Sequence, residues 1–462
     1  MRALFYRITG LLFSLLFAIT GVNESVIGFT DGTPIKAKDR NYSFSEDGRL
    51  LIGAYYADPD KLEEAKQAGL EFFITDGVNE KMLNECERLG LGVIAGGYNL
   101  PRGYGNLSDS VRDRWVDFDI SEYKNHPALW GDDLIDEPGA DSFVSISKAL
   151  EAYYSKTRGK IGLVNLFPMY ATGEQLNEES GLTFLQKLML YPAGIDDSAD
   201  MFKRYLSDYI NKIDTDYICV DIYPMHERAG KNGELTKITS PTWVRSLDIL
   251  AQACRDTNRS LWIITQAAGL TSEGVPGKEN PRWCDEISDV SQQAYASLAF
   301  GAGAIIHAEY AARGWWDKGS HMIDENGNTT DTYDAVKAVN MDLKAFALEY
   351  GKYSYSSSFL VNGSKAAGFS GGRLAVQKNG DVIDILSKNA LLVGCFDGEE
   401  GKAYVVANME ELEKNVTASA VCKVPSGKTL TLYQGGETKE YSGGKTLRLS
   451  LAPGEGVFFT VR

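Results

Sequence analysis

The sequence predicts an α/β protein: a (β/α)8 barrel followed by a smaller antiparallel β-sandwich. Three observations predict it. Eight short, near-continuous apolar runs alternate with longer amphipathic stretches between Leu50 and Tyr310, as expected of a parallel sheet buried under helices on its outer face. Beyond about Leu348 the helical spacing gives way to short segments cut by pairs such as Asn362-Gly363, Ser426-Gly427 and Pro453-Gly454. That is the pattern of antiparallel strands and tight turns. Midway, residues 130–139 pass from apolar to acidic and are stopped by Pro138-Gly139, which puts the adjacent carboxylates of Asp136 and Glu137 at the exit of a buried strand.

Residues 1–22 carry Arg2 and Arg7 ahead of an apolar run over 11–19 and then small or polar residues. This is the layout of a secretory signal, and the run is short for a spanning helix. An uncleaved N-terminal anchor is the competing expectation. The expected location is secreted, cell-surface or periplasmic, with no stable membrane insertion after cleavage.

The barrel is expected over 45–350. Its apolar runs cover 50–55, 70–75, 91–96, 128–137, 161–165, 217–223, 261–266 and 304–310. Between them lie helical patterns such as 59–69, with Pro59 near the start and Gly69 at the end, the usual asymmetry of helix termini. Eight such units close on themselves. A doubly wound sheet would want a glycine-rich phosphate turn after its first strand, and Ala57-Asp58-Pro59 is not one. The connection over 167–197 exceeds a normal βα loop and reads as a lid or subsite wall. The sandwich is expected over 355–462, with the Ser/Tyr-rich 353–358 linking the two parts.

Composition narrows the partners. With 44% hydrophobic and 24% charged residues the chain reads as folded. Its net charge of −16 and the lack of a Lys/Arg stripe argue against a nucleic-acid partner, and an anionic surface suits a neutral substrate. The six cysteines, at 86, 219, 254, 284, 395 and 422, are scattered. Only Cys395 and Cys422 are candidates for a pair, and none of the six has metal-ligand spacing. Neither a metal nor a cofactor is expected.

In a parallel barrel the side chains ending the strands converge on one pocket. Here they are Tyr55 and Tyr56, Thr75 and Asp76, Gly97 and Tyr98, Asp136 and Glu137, Asn165, Asp221 and Tyr223, Gln266, and His307 and Glu309, with Trp315 and Trp316 just beyond the last strand. This strand-end set contains no Ser-His-Asp constellation and no Gly-x-Ser-x-Gly nucleophile turn. Aromatic rings for C–H faces and amides for hydroxyls are what a sugar requires. His307 on an apolar strand reads as a core histidine, His226 as a loop residue, and Arg282-Trp283 as pocket rim or plain surface.

The strand-end sequence Asp136-Glu137-Pro138 resembles the Asn-Glu-Pro of clan A glycoside hydrolases, secreted bacterial members included. There the fourth barrel strand ends in an amide and the general acid/base glutamate, and a trailing β-sandwich is common. The resemblance implies that Glu137 is the acid/base. It departs at two points: Asp136 replaces the asparagine, and the seventh run ends in Gln266 where the family carries its nucleophilic glutamate. A carboxamide cannot form a glycosyl ester, so the retaining mechanism does not carry over.

Asp221 and Glu309 are the candidates for a second catalytic carboxylate, with Asp133 a third. A structural role stays open for each, as does a substrate-assisted route through the sugar itself. Tyr55, Asp136, Asn165, Tyr223, Gln266, Trp315 and Trp316 are the expected carbohydrate-binding residues. Beside the glycosidase reading stand a non-catalytic carbohydrate-binding protein derived from such a barrel and metal-assisted hydrolysis by Asp132, Asp133 and Asp136. The metal route lacks a histidine placed to join it.

Overall fold

The computed structural model describes residues 40, 42, 44, 48–96, 108–120, 123–179, 183, 197–229, 235–269, 284, 286–312, 320–369 and 383–462. The expected signal over 1–22, Gly97 and Tyr98, Arg282-Trp283, Trp315 and Trp316, and most of 180–196 lie outside them. None of the helices among the described residues is long and apolar enough to cross a membrane.

Eight parallel strands close into a barrel: β1 (Leu51–Tyr55), β2 (Phe72–Thr75), β3 (Gly92–Ala95), β4 (Leu129–Asp136), β5 (Ile161–Leu166), β6 (Tyr217–Ile222), then β9 (Ser260–Gln266) and β10 (Ala302–Ala308), which pairs back onto β1. All eight fall on the apolar runs read from the sequence. Helices such as Glu80–Leu89 cover the outside; that one is capped by the Asn79 side chain at its start and by left-handed Gly90 at its end.

Rings fill the lower barrel. Phe44 stacks on Trp130 at 4.5 Å, and Phe72 packs between Trp130 and Trp262 at 5.4 and 5.8 Å. Two glycines make the room. A Cβ at Gly92 would lie 2.0 Å from the Trp130 ring and one at Gly53 2.5 Å from Phe72, closer than carbon atoms pack. Below, Arg40 pairs with Asp214 and Asp216 at 2.9 Å each, and the Tyr42 hydroxyl donates to Asp216 at 2.8 Å. These contacts fasten the segment before β1 under the barrel floor.

Between β6 and the next barrel helix a two-stranded hairpin, β7 (Met225–Ala229) with β8 (Leu235–Thr239), is inserted. His226 therefore lies on a strand, not in the expected loop. Neither of its strands carries a continuous apolar run in the sequence.

Among the described residues the C-terminal part holds two antiparallel sheets. The larger runs β11 (Ser354–Val361), β13 (Leu391–Gly398), β14 (Gly401–Asn408), β19 (Gly456–Val461), β16 (Thr429–Gln434), β17 (Glu437–Ser442). The smaller runs β12 (Ile385–Ser387), β15 (Ala418–Lys423), β18 (Thr446–Leu451). Most of the stretch expected to be a linker is instead part of β11, whose Ser358 hydroxyl donates to Ala299 O at 2.8 Å. Cys395 and Cys422 do not pair: both are buried thiols, on strands of different sheets.

The sandwich docks on the helix Ile287–Ala299, which lies against β9 and β10 on one side and β13, β14 and β19 on the other. The Gln292 amide donates to Asn408 O and Glu410 O at 3.2 and 3.0 Å. Gly394 passes so close to the helix that a Cβ there would meet Ala299 O at 2.2 Å.

Candidate active site

Alternation along each strand selects what faces the barrel axis. On β6 it brings Tyr217, Cys219, Asp221 and Tyr223 inward in sequence; on β5, Ile161, Leu163 and Asn165. Strand β4 breaks the rule. Its register against β5 pairs Asp133 with Leu163, then jumps so that Ile135 pairs with Val164 and Asp136 with Asn165. This bulge absorbs one residue, so Asp133 and Asp136 both face the interior although a regular strand would send them to opposite sides. Asp132 points the other way and accepts from Tyr153 at 2.6 Å, out in the helix layer. The trio 132/133/136 thus does not converge on one point.

Glu137 follows the bulged strand with φ +45°. Of the described non-glycine residues with positive φ, four are asparagines; the other two are Glu137 and Tyr56 (φ +58°). Both leave the C-terminal ends of barrel strands. Left-handed backbone costs a side chain with a Cβ about 1 kcal/mol or more and persists where surroundings enforce it. For Glu137 the enforcement is visible: its N–H donates to Asn165 O at 2.9 Å, and Tyr205 donates to the next carbonyl, Pro138 O, at 2.7 Å.

Asn165 organises the carboxylates. Its amide nitrogen donates to Asp136 Oδ1 at 2.9 Å and Asp221 Oδ1 at 3.1 Å, so those two oxygens lie no more than about 6 Å apart. Burial, then the charges of Asp221 and Asp136, push the Glu137 carboxyl up from 4.5 to about 8, so it holds its proton at neutral pH. Asp136 keeps solvent contact on its outer side, yet desolvation of its carboxyl by the barrel wall raises it as well, against the Asn165 hydrogen bond, which favours its charged form. Asp133 is raised well above the usual carboxylate range by burial and then by Asp136 and Asp132. The Tyr55 and Tyr223 phenols are kept protonated by burial and, next, by Asp133 and Asp221 respectively.

The sequence-predicted residues therefore divide. Tyr55, Asp136, Glu137, Asn165, Asp221 and Tyr223 form one group at the barrel mouth. Gln266 is fully buried, its Oε1 accepting from Met225 N at 3.3 Å and its Nε2 donating to Ala268 O at 3.3 Å. Its amide braces the start of the β7 hairpin. Glu309 is 2% exposed, lies 3.2 Å from His321 Nε2, and is not among the groups that shift Glu137. His307 bonds Asn340 at 2.9 Å and Thr265 at 3.3 Å, on the outer face of β10.

Two residues escaped the sequence reading of the site, His321 and Tyr170, while Asp133, a candidate there, owes its inward turn to a bulge for which the sequence has no marker. His321 is 1% exposed and reaches Glu309 from further along the chain that leaves β10. Tyr170, 40% exposed and near enough to Tyr223 to perturb it, sits three residues beyond the Phe167 that opens the long connection, and only that length pointed toward it.

No protein-family model matches the chain, and no curated protein matches it. Solved structures do. A glycoside hydrolase family 5 structure from Bacteroides vulgatus is 12% identical, covering 90% of this chain and 92% of its own at a TM-score of 0.50. Another structure described as a glycoside hydrolase is 13% identical over 95% and 98% of the two chains, at 0.49. A family 42 β-galactosidase from G. stearothermophilus is 11% identical over 94% and 100%, at 0.47. At 12% identity the first of these likenesses is one of fold: a (β/α)8 barrel followed by a β-sandwich.

Proposed function

We propose that the chain is a glycoside hydrolase working at the mouth of its barrel, with Glu137 as the general acid. The observation that carries this is the half-buried Glu137 carboxyl, raised to about 8 beside Asp221 and Asp136. A carboxylic acid that stays protonated near neutrality next to an ionisable partner is the pairing glycoside cleavage uses. Glu137 gives its proton to the glycosidic oxygen of the departing sugar. Asp221, tethered through Asn165, is the second carboxylate. It either attacks the anomeric carbon, with retention, or takes a proton from the attacking water, with inversion. Asp136, Asn165, Tyr55 and Tyr223 line the group around the sugar. The fold likeness to a family 5 glycoside hydrolase agrees with this reading.

Glu137→Gln keeps the shape and removes the transferable proton. Its turnover should fall about 10²–10⁴-fold while oligosaccharide binding persists. Aryl glycosides and polysaccharides, screened with product analysis, supply the assay, and undiminished turnover in the variant removes the assignment.

The buried amide at the end of β9 favours a second reading, a carbohydrate-binding protein without hydrolysis, because Gln266 offers no nucleophile and both its amide atoms are bonded to backbone. Oligosaccharide binding with no product from any tested glycoside selects it.

A further inference from the structure

Among the described residues the barrel mouth carries carboxyl groups and phenols but no cationic side chain. Asp133, Asp136 and Glu137 come from β4 and its exit, and Asp221 from β6. Around them stand Tyr55 and Tyr56 from β1, Cys219 and Tyr223 from β6 and its exit, Tyr205 from the helix Ser198–Lys212, and Asp76 and Glu309 beyond Tyr56. Among the described residues no lysine or arginine contributes to the state of Asp133, Asp136 or Glu137.

A second, independent observation concerns the hydrogen bonds. Asn165 is 3% exposed and gives its amide nitrogen to Asp136 and Asp221, yet its own Oδ1 is buried with no hydrogen-bond partner. Asp133 Oδ1 is in the same condition. Tyr55 Oη is also unpartnered, and a phenol has only one proton to give. A buried acceptor without a donor is costly, and each such group in a folded protein calls for an explanation.

Which ligand repays this? A sugar hydroxyl brings one donor and no charge. A protonated amine brings three donors and the positive charge that the carboxyl group lacks. The chain as a whole carries −16, which draws cations toward the molecule and holds anions off. The expectation of a neutral substrate, drawn from overall charge alone, is therefore revised by the local arrangement.

We propose that the mouth selects a cationic carbohydrate, an oligosaccharide bearing a protonated amine, whose ammonium group is held by solvent-accessible Asp136 with the donor-short amide oxygen of Asn165 behind it. Glu137 is left to face the glycosidic oxygen. The proposal rests on the reading of this mouth as a sugar site and adds the substrate's charge. A cation at Asp136 also counteracts the repulsion that raises Glu137, so the acid titrates at lower pH when an amine-bearing ligand is bound.

The test is calorimetric titration of the full chain at about pH 6, where a sugar amine is protonated. The probes are a glucosamine trisaccharide, its N-acetylated counterpart and a glucose trisaccharide of the same linkage. The amine form should bind at least about tenfold more tightly than either neutral form. That margin should shrink as salt is raised, and Asp136→Asn should bring it to within about twofold. The salt dependence of the wild-type chain decides the matter even where the variant folds poorly. Equal or weaker binding of the amine form at low salt overturns the inference while leaving the sugar site standing. Binding of none of the three overturns both.

Discussion

Glu137 combines a left-handed backbone, a following proline and a half-buried carboxyl beside two others. None of the three is favourable alone, since the residue before a proline is also restricted. The raised carboxyl has a measurable consequence for stability. Between about 4.5 and 8 the folded chain keeps the proton on Glu137 while the unfolded chain has released it. Stability contributed by this group is therefore complete below 4.5 and is lost as pH rises through about 8. Glu137→Gln abolishes that dependence, so thermal melts of the variant should decline less across this window than those of the wild type; parallel melting curves would show that the carboxyl titrates normally. Asp136 and Glu137 were legible because Pro138-Gly139 stops the strand and local chemistry marks its end. Gln266 was legible as a strand end but not in its bonding, because Met225 and Ala268 reach it only after the chain has folded.

At the scale of elements, the eight barrel strands were readable because burial on both faces demands continuous apolar runs. The hairpin β7–β8 and the edge strand β17 were not, since strands of mixed polar residues leave no such run in the sequence. The bulge in β4 was equally hidden, yet it decides which aspartates enter the mouth. Two packing predictions belong here. Trp130→Ala empties the ring layer of the lower barrel and should cost about 3–5 kcal/mol in denaturant unfolding. Gly394→Ala forces a methyl group against Ala299 O and should cost about 1–3 kcal/mol. A neutral Gly394→Ala would mean that the sandwich can lift away from the helix Ile287–Ala299.

At the scale of the molecule, that helix belongs to two structures at once. From Asp289 to Ala299 its residues are buried against β9 and β10 and against the larger sheet of the sandwich, and Gln292 ties it to the chain after β14. Barrel and sandwich should therefore melt together. Calorimetry is expected to give one transition with calorimetric and van't Hoff enthalpies in agreement; two separated transitions would show that the interface is weaker than its geometry implies.

Hydrophobic periodicity, turn chemistry and strand-stop signals are local properties, and they sufficed to determine the barrel, the sandwich and the acidic strand exit holding Asp136 and Glu137. The close approach of Asp136 and Asp221 through Asn165, the inward turn of Asp133 and the retreat of Gln266 and Glu309 into bonded burial were decided by the tertiary structure alone. Each depends on the register between strands distant in sequence, and a carboxyl's proton affinity depends on what surrounds it in space.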